Sequence, residues 1–336
     1  MQDTLTTEER AVETTPQNTM RAAVVTAPQS IEVQNVTLPE PQKGQVRLRL
    51  EGCGLCASSI PLWEGREWFT YPVAAGNPGH EGWGVVDAVG EGVDNVKVGD
   101  RIAALSYNSF AAYDIADADK VVKLPDTLAG KPFPGEPLGC AMNIFKRSDI
   151  SAGQTVAILG IGFLGALLVQ LAKNAGAKVI AVSQRDFSLD VARDCGADEL
   201  VKMDDHYKII EKVKELTNGN FCERVIECTG KEWPLNLAGE LCAERGKLII
   251  AGFHQDGMRQ VNVQLWNWRG LDVINAHERD PQMYIQGIRD AVKAVEQGTI
   301  NPDKLYTHTY TLNDINKAFG QLTQRPDGFV KALITY

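Results

Sequence analysis

Four stretches of this 336-residue sequence carry side chains whose type and spacing can do chemistry. In Cys53-Gly54-Leu55-Cys56 two thiols stand three residues apart, as zinc ligands often do. No second such pair occurs in the sequence, so a four-cysteine structural zinc is not supported. Gly79-His80-Glu81-Gly82-Trp83-Gly84 adds an imidazole and a carboxylate. A thiolate, an imidazole and carboxylates can build an open zinc site with room for a substrate oxygen. Gly160-Ile161-Gly162-Phe163-Leu164-Gly165 fits the GxGxxG pattern of dinucleotide-binding turns. Gly160 would permit the tight turn, Gly162 the approach of a pyrophosphate to the backbone, and Gly165 close packing of helix on strand. Phe163 and Leu164 would open the helix whose N-terminus faces the phosphates. Thr229 and Gly252, each just past a later expected strand, are further cofactor-binding candidates.

The fourth stretch, Ser183-Gln184-Arg185, begins 23 residues past Gly160. An NAD site usually holds Asp or Glu near here, accepting from the ribose 2′-OH. Without that carboxylate a 2′-phosphate is not repelled, and Arg185 can pair with it through charge-assisted hydrogen bonds. NADP(H) is therefore expected over NAD(H), with Asp186, one residue later, keeping NAD open as the alternative.

The elements that must position these residues follow from pattern. From Met20 to about Leu124 short strands alternate with Gly, Pro and Asp turns: Arg21–Thr26, Gln45–Glu51, Gly84–Val89 and Arg101–Leu105. From Gly153 the rhythm becomes strand then helix. Expected strands are Thr155–Leu159, Lys178–Val182, Glu199–Val201, Arg224–Cys228, Lys247–Ala251 and Asp272–Asn275. Helical patterns fall between them near Leu164–Ala175, Ser188–Cys195, Tyr207–Leu216 and Pro234–Cys242. Helices at Pro281–Gln297 and Leu312–Leu322 and a last strand, Phe329–Thr335, follow. The fold class is α/β: a β domain plus a doubly wound parallel sheet covered on both faces.

Composition excludes several classes. The chain is 44% hydrophobic and 23% charged, ordinary for a globular protein. A net charge of −9 gives no global attraction to nucleic acid or anionic lipid. Seven scattered cysteines fit reduced thiols in a cytoplasm better than a disulfide framework. Residues 1–19 are polar and include Glu8, Glu9 and Glu13; they lack the basic start and apolar run of a leader and read as a disordered extension. The most apolar stretch, Val156 to Ala172, is broken early by three glycines and reads as strand, turn and helix rather than a membrane span.

Taken together, these motifs make the chain resemble the zinc-containing medium-chain dehydrogenase/reductase family of alcohol and polyol dehydrogenases, from Met20 to Tyr336. The most specific element is GHExxGx₅Gx₂V, met by Gly79, His80, Glu81, Gly84, Gly90 and Val93. The resemblance implies a GroES-like catalytic domain (20–140), a Rossmann NAD(P)-binding domain (141–276), and C-terminal elements (277–336) returning to the catalytic domain, with the active site between the two. It implies Cys56, His80, Glu81 and Glu136 as zinc ligands, Cys140 being a rival for the last place. Cys53, Cys195, Cys222, Cys228 and Cys242 are expected as packed thiols, and His206, His254 and His308 as surface or packing residues.

Two departures from the family pattern stand out. The four-cysteine lobe of members with a structural zinc is missing, since Leu105–Tyr113 contains no cysteine, so one catalytic zinc per chain is expected. Many relatives carry Asp, which orients the ligand His, where this chain has Ser59, and Pro61 replaces a His found in some. By the same resemblance zinc would polarise the substrate oxygen during hydride transfer with the nicotinamide. Ser58 would relay the proton, with Glu81 or Glu136 as the other handler. Trp63, Tyr107 and the polar run His277-Glu278-Arg279 are the candidate substrate-pocket residues. That run favours a polyol, sugar or cyclitol over an aliphatic alcohol. A small alcohol or carbonyl substrate, no nucleic acid or membrane partner, and a homodimer or homotetramer are expected. Two other readings stay open: a zinc-free quinone or enone reductase on the same scaffold, and a non-catalytic cofactor-binding sensor.

Overall fold

Alternating burial of Val46, Leu48 and Leu50 sets one face of a central strand, β3 (Gln45–Gly54), against the core. The computed structural model that contains it describes residues 18–255 and 257–336. The expected N-terminal extension therefore lies outside the described residues up to position 17, and its last residue, Thr19, already belongs to a strand. That strand, β1 (Thr19–Ala27), forms an antiparallel pair with β2 (Ser30–Thr37). After β3 come the short helix α1 (Ile60–Glu64), then β4 (Gly82–Val89), β5 (Arg101–Ala104), β6 (Tyr113–Asp117), β7 (Val121–Lys123) and helix α2 (Gly135–Ser148).

The next segment alternates strand and helix: β8 (Thr155–Leu159), α3 (Phe163–Asn174), β9 (Lys178–Ser183), α4 (Asp186–Asp194), β10 (Glu199–Lys202) and α5 (His206–Leu216). It continues through β11 (Cys222–Glu227), α6 (Glu232–Leu241), β12 (Cys242–Ile250), α7 (Val263–Arg269) and β13 (Asp272–Asn275). The chain ends with α8 (Pro281–Glu296), β14 (Tyr306–Thr311), α9 (Ile315–Gln324) and β15 (Lys331–Thr335). Strands β8 to β13 form one six-stranded sheet in the order β10-β9-β8-β11-β12-β13, all neighbours parallel. The strand order reverses between β8 and β11, and ligands of such sheets bind at this switch point beyond the carboxyl ends of the strands.

The second large sheet runs β14-β15-β3-β4-β5-β7, with β6 added to β3. Residues 306–335 thus return to the N-terminal half: Leu333, Ile334 and Thr335 pair with Gly54, Cys53 and Gly52. The expected boundary at 140/141 lies within α2, which spans Gly135–Ser148. Helix α8, expected to return to the catalytic domain, packs antiparallel on α2 and shares one core with the Rossmann strands. Among the described residues no helix is long and apolar enough to cross a membrane.

Candidate active site

The turn after β3 and the turn before β4 bring Cys56 and His80 together. Gly54 leaves room for the Glu81 carboxylate, since a Cβ there would lie 1.8 Å from Glu81 Oε2. Cys56, His80 and Glu81 offer ligand atoms that all lie within 4.8 Å of one another. His80 Nδ1 sits 2.8 Å from the Pro78 carbonyl oxygen, which can only accept, so Nδ1 carries the proton and Nε2 is left to the cluster. A backbone carbonyl thereby does the orienting that the Ser59 position does not; Ser59 Oγ is buried without a partner among the described residues. Ser58 Oγ donates to Cys56 Sγ at 3.1 Å and lies 3.5 Å from His80 Nε2. The Ser58 carbonyl accepts from Gln255 Nε2 of the loop after β12, tying the two halves together at the cluster.

Charge is concentrated here. Burial opposes a proton on His80, but its hydrogen bond to Cys56 and the nearby Cys56, Glu136 and Glu81 outweigh this and hold its pKa up to about 10. Glu81 is fully buried and ion-paired with Lys331, whose Nζ donates to Oε1 at 2.7 Å and also contacts Oε2. Sequence reasoning missed Lys331, and nothing local to β15 marks it. Glu136, in the first turn of α2, lies beside the cluster without joining the three at ligand distance; burial pushes its carboxyl up. Its rival Cys140, one turn on, donates its thiol to Glu136 Oε1 at 3.2 Å. A soft thiolate, an imidazole nitrogen and a carboxylate are a donor set suited to zinc, and Glu136 acts on His80 through its field.

The glycine turn lies at the switch point. Gly160 has φ +92°, and a Cβ on it would strike Thr229 at 2.5 Å. A Cβ on Gly165 would lie 2.2 Å from the Gly160 oxygen, whereas one on Gly162 would meet nothing within 4 Å. The turn is thus closed beneath and open above, the shape a pyrophosphate needs at the N-terminus of α3. Phe163 stacks on Tyr306, and Leu164 packs against the core. Thr229 and Gly230 donate to Glu227, as does His254 Nε2 at 2.9 Å; Gly252 N donates to the Glu227 carbonyl. His254, expected as an ordinary surface or packing residue, is thus bound to a buried carboxylate at the switch point. Ser183 is buried at the end of β9. Arg185 donates to the carbonyls of Arg325 and Phe329, commitments that sequence reasoning did not foresee.

The pocket candidates separate. Trp63, expected as a cleft wall, is 7% exposed and stacks on Phe319 within an apolar cluster. Tyr107 is exposed, His277 stacks on the exposed Phe253, and Glu278 accepts from the backbone N–H groups of Arg279 and Asp280. Arg279 itself is exposed.

Comparison with known proteins agrees with this geometry. Residues 42–126 match the alcohol dehydrogenase GroES-like domain and residues 164–293 the zinc-binding dehydrogenase domain. An alcohol dehydrogenase of Geobacillus stearothermophilus is 34% identical over 234 residues, covering 60% of this chain and 68% of that one. A sorbitol dehydrogenase of Halalkalibacterium halodurans is 27% identical, covering 90% and 95%. Among solved structures, a protein of Sinorhizobium meliloti described as a zinc-binding dehydrogenase and bound to NADP superposes with a TM-score of 0.82. It is 26% identical, with 95% of this chain and 100% of that chain covered. The chain therefore belongs to the zinc-containing medium-chain dehydrogenase/reductase family of alcohol and polyol dehydrogenases.

Proposed function

We propose that this enzyme uses one catalytic zinc per chain and NADP(H) to interconvert a polyol, sugar or cyclitol and its carbonyl form. The observation that carries the reading is the Cys56–His80–Glu81 cluster, joined through Ser58 and Gln255 to the loop after β12. Zinc bound there would supply a Lewis acid for the substrate oxygen, and a bound nicotinamide cofactor would supply the hydride chemistry. Cys56 and His80 would hold the metal, with Glu81 or Glu136 completing the set. Ser58 Oγ, at the cluster's edge, takes the proton from the substrate hydroxyl and passes it on toward solvent. Lys331 Nζ holds the Glu81 carboxylate in place through its ion pair.

The absence of a carboxylate at Ser183 supports NADP(H), as does the NADP bound to the Sinorhizobium relative. Arg185 spends two of its N–H donors on carbonyls and retains others for a 2′-phosphate. The polar run at 277–279 and the sorbitol dehydrogenase relative favour a hydroxylated substrate. All seven cysteines are unpaired, which suits a cytoplasmic location. A zinc-free reductase would have no use for the three-ligand cluster.

Two measurements test the reading. Elemental analysis of mildly purified protein should find close to one zinc per chain, and a metal-free but active preparation would sink the zinc assignment. Fluorescence titration should show NADPH binding more tightly than NADH; the reverse order would return the cofactor to NAD(H).

A further inference from the structure

Three turns meet where the strand order of the parallel sheet reverses. Cys228 N donates to the Leu159 carbonyl, and a Cβ on Gly160 would lie 2.5 Å from Thr229 Cγ2, so the turn after β11 rests on the glycine turn. A Cβ on Gly252 would lie 2.2 Å from Gly230 N, so the turn after β12 rests in the same way on the turn after β11. Backbones this close cannot move independently.

One buried carboxylate fastens two of these turns. Glu227 is 0% exposed, and its Oε1 accepts from Thr229 N, Thr229 Oγ1 and Gly230 N. Its Oε2 lies 2.9 Å from His254 Nε2. Arg259 Nε lies 3.1 Å from His254 Nδ1, and a guanidinium can only donate, so Nδ1 accepts and the imidazole proton sits on Nε2. The imidazole therefore donates to Glu227. Arg259 Nη2 also donates to the Gly230 carbonyl at 3.3 Å. Glu227, His254, Arg259 and Gly230 thus form a closed circuit of hydrogen bonds, and the residue after His254 is the Gln255 that reaches Ser58. A buried network whose members are all satisfied rigidifies the backbone it joins, and removing one member leaves costly unpaired groups.

We propose that His254 is a positioning residue for the nicotinamide dinucleotide. By donating to Glu227 and accepting from Arg259 it holds the turns at Thr229–Gly230 and Gly252, and the glycine turn beneath them, in their binding shape before the cofactor arrives. A site formed in advance avoids the ordering cost that a loose one meets on binding. The proposal rests on the dinucleotide reading above. It applies equally to NADPH and NADH, because the circuit includes neither Ser183 nor Arg185.

The test is fluorescence titration of the zinc-loaded enzyme with NADPH and with NADH, in the wild type, His254→Leu and His254→Gln. His254→Leu should raise both Kd values by the same factor, about 10-fold for the loss of a buried hydrogen bond. His254→Gln should restore most of the affinity, since its amide can donate to Glu227 while its oxygen accepts from Arg259. Hydrogen exchange gives a second readout: amides of 228–230 and 252–255 should exchange faster in free His254→Leu and return toward wild-type rates with saturating NADPH. Arg259→Met breaks the same circuit and serves where His254→Leu does not fold; both Kd values should again rise, and wild-type values would overturn the circuit. Unchanged affinity in His254→Leu, a loss confined to one dinucleotide, or no rescue by glutamine would overturn the role of His254 while the dinucleotide reading stands. A wild type that binds neither dinucleotide would overturn both.

Discussion

Lys331 and Glu81 are the buried ion pair beside Cys56 and His80. Both are almost wholly buried, in contact from positions 250 residues apart, and Lys331 also lies over the Phe163 ring at 5.1 Å. Burial works against the ammonium, but the field of Glu81, Cys56 and Glu136 prevails and raises its pKa. A buried pair is weak evidence of net stabilisation, yet removing one partner strands the other, at about 3–5 kcal/mol. Lys331→Met is therefore expected to lower the unfolding free energy by about that much in denaturant titration, and Lys331→Met with Glu81→Gln to recover a good part of it. Additive losses in the double variant would show that the two residues act separately. No local pattern in β15 could reveal Lys331, since the pairing is made by the chain's return to β3.

At the scale of elements, α2 is the part that pattern reading failed to find. Its opening Gly135-Glu136-Pro137-Leu138-Gly139 contains weak helix formers, so intrinsic preference argues against a helix there. Tertiary packing overrides it: Gly135 and Gly139 are the positions where α8 comes closest. Gly139→Val should push the helices apart, costing about 1–3 kcal/mol by denaturation. It should also lower kcat/KM, because Glu136 and Cys140 ride on the displaced turn. Wild-type stability and activity would refute the close crossing. The Rossmann strands, by contrast, were legible: Thr155–Leu159 and Asp272–Asn275 occur where expected, the first as a short β-favouring apolar run. That Cys56, His80 and Glu81 come together was legible because spaced motifs carry them, whereas Trp63, read as a pocket wall, stacks on the distant Phe319 of α9. Aromatic composition alone does not tell a cleft from a core.

At the scale of the molecule, the Rossmann sheet ends on an unguarded side. Strand β13 pairs with β12 on one edge only among the described strands, and its Val273 is 41% exposed. Just before it in the chain, α7 buries none of its residues and presents Val263 and Trp268, the latter 82% exposed. A free strand edge flanked by exposed apolar side chains invites pairing with another chain. A second copy meeting it edge to edge would satisfy the free backbone groups by a twofold, self-complementary contact. The net charge of −9 opposes this only weakly, because exposed charges are screened beyond about 8 Å at physiological salt. Light scattering after size exclusion should give at least twice the 36.7 kDa chain mass. Val273→Lys, which places a charge on the edge and touches no proposed ligand of the metal or cofactor, should shift that mass toward the monomer. A wild type that elutes as a monomer would exclude β13 as an interface, and an unshifted variant would move the contact to another face.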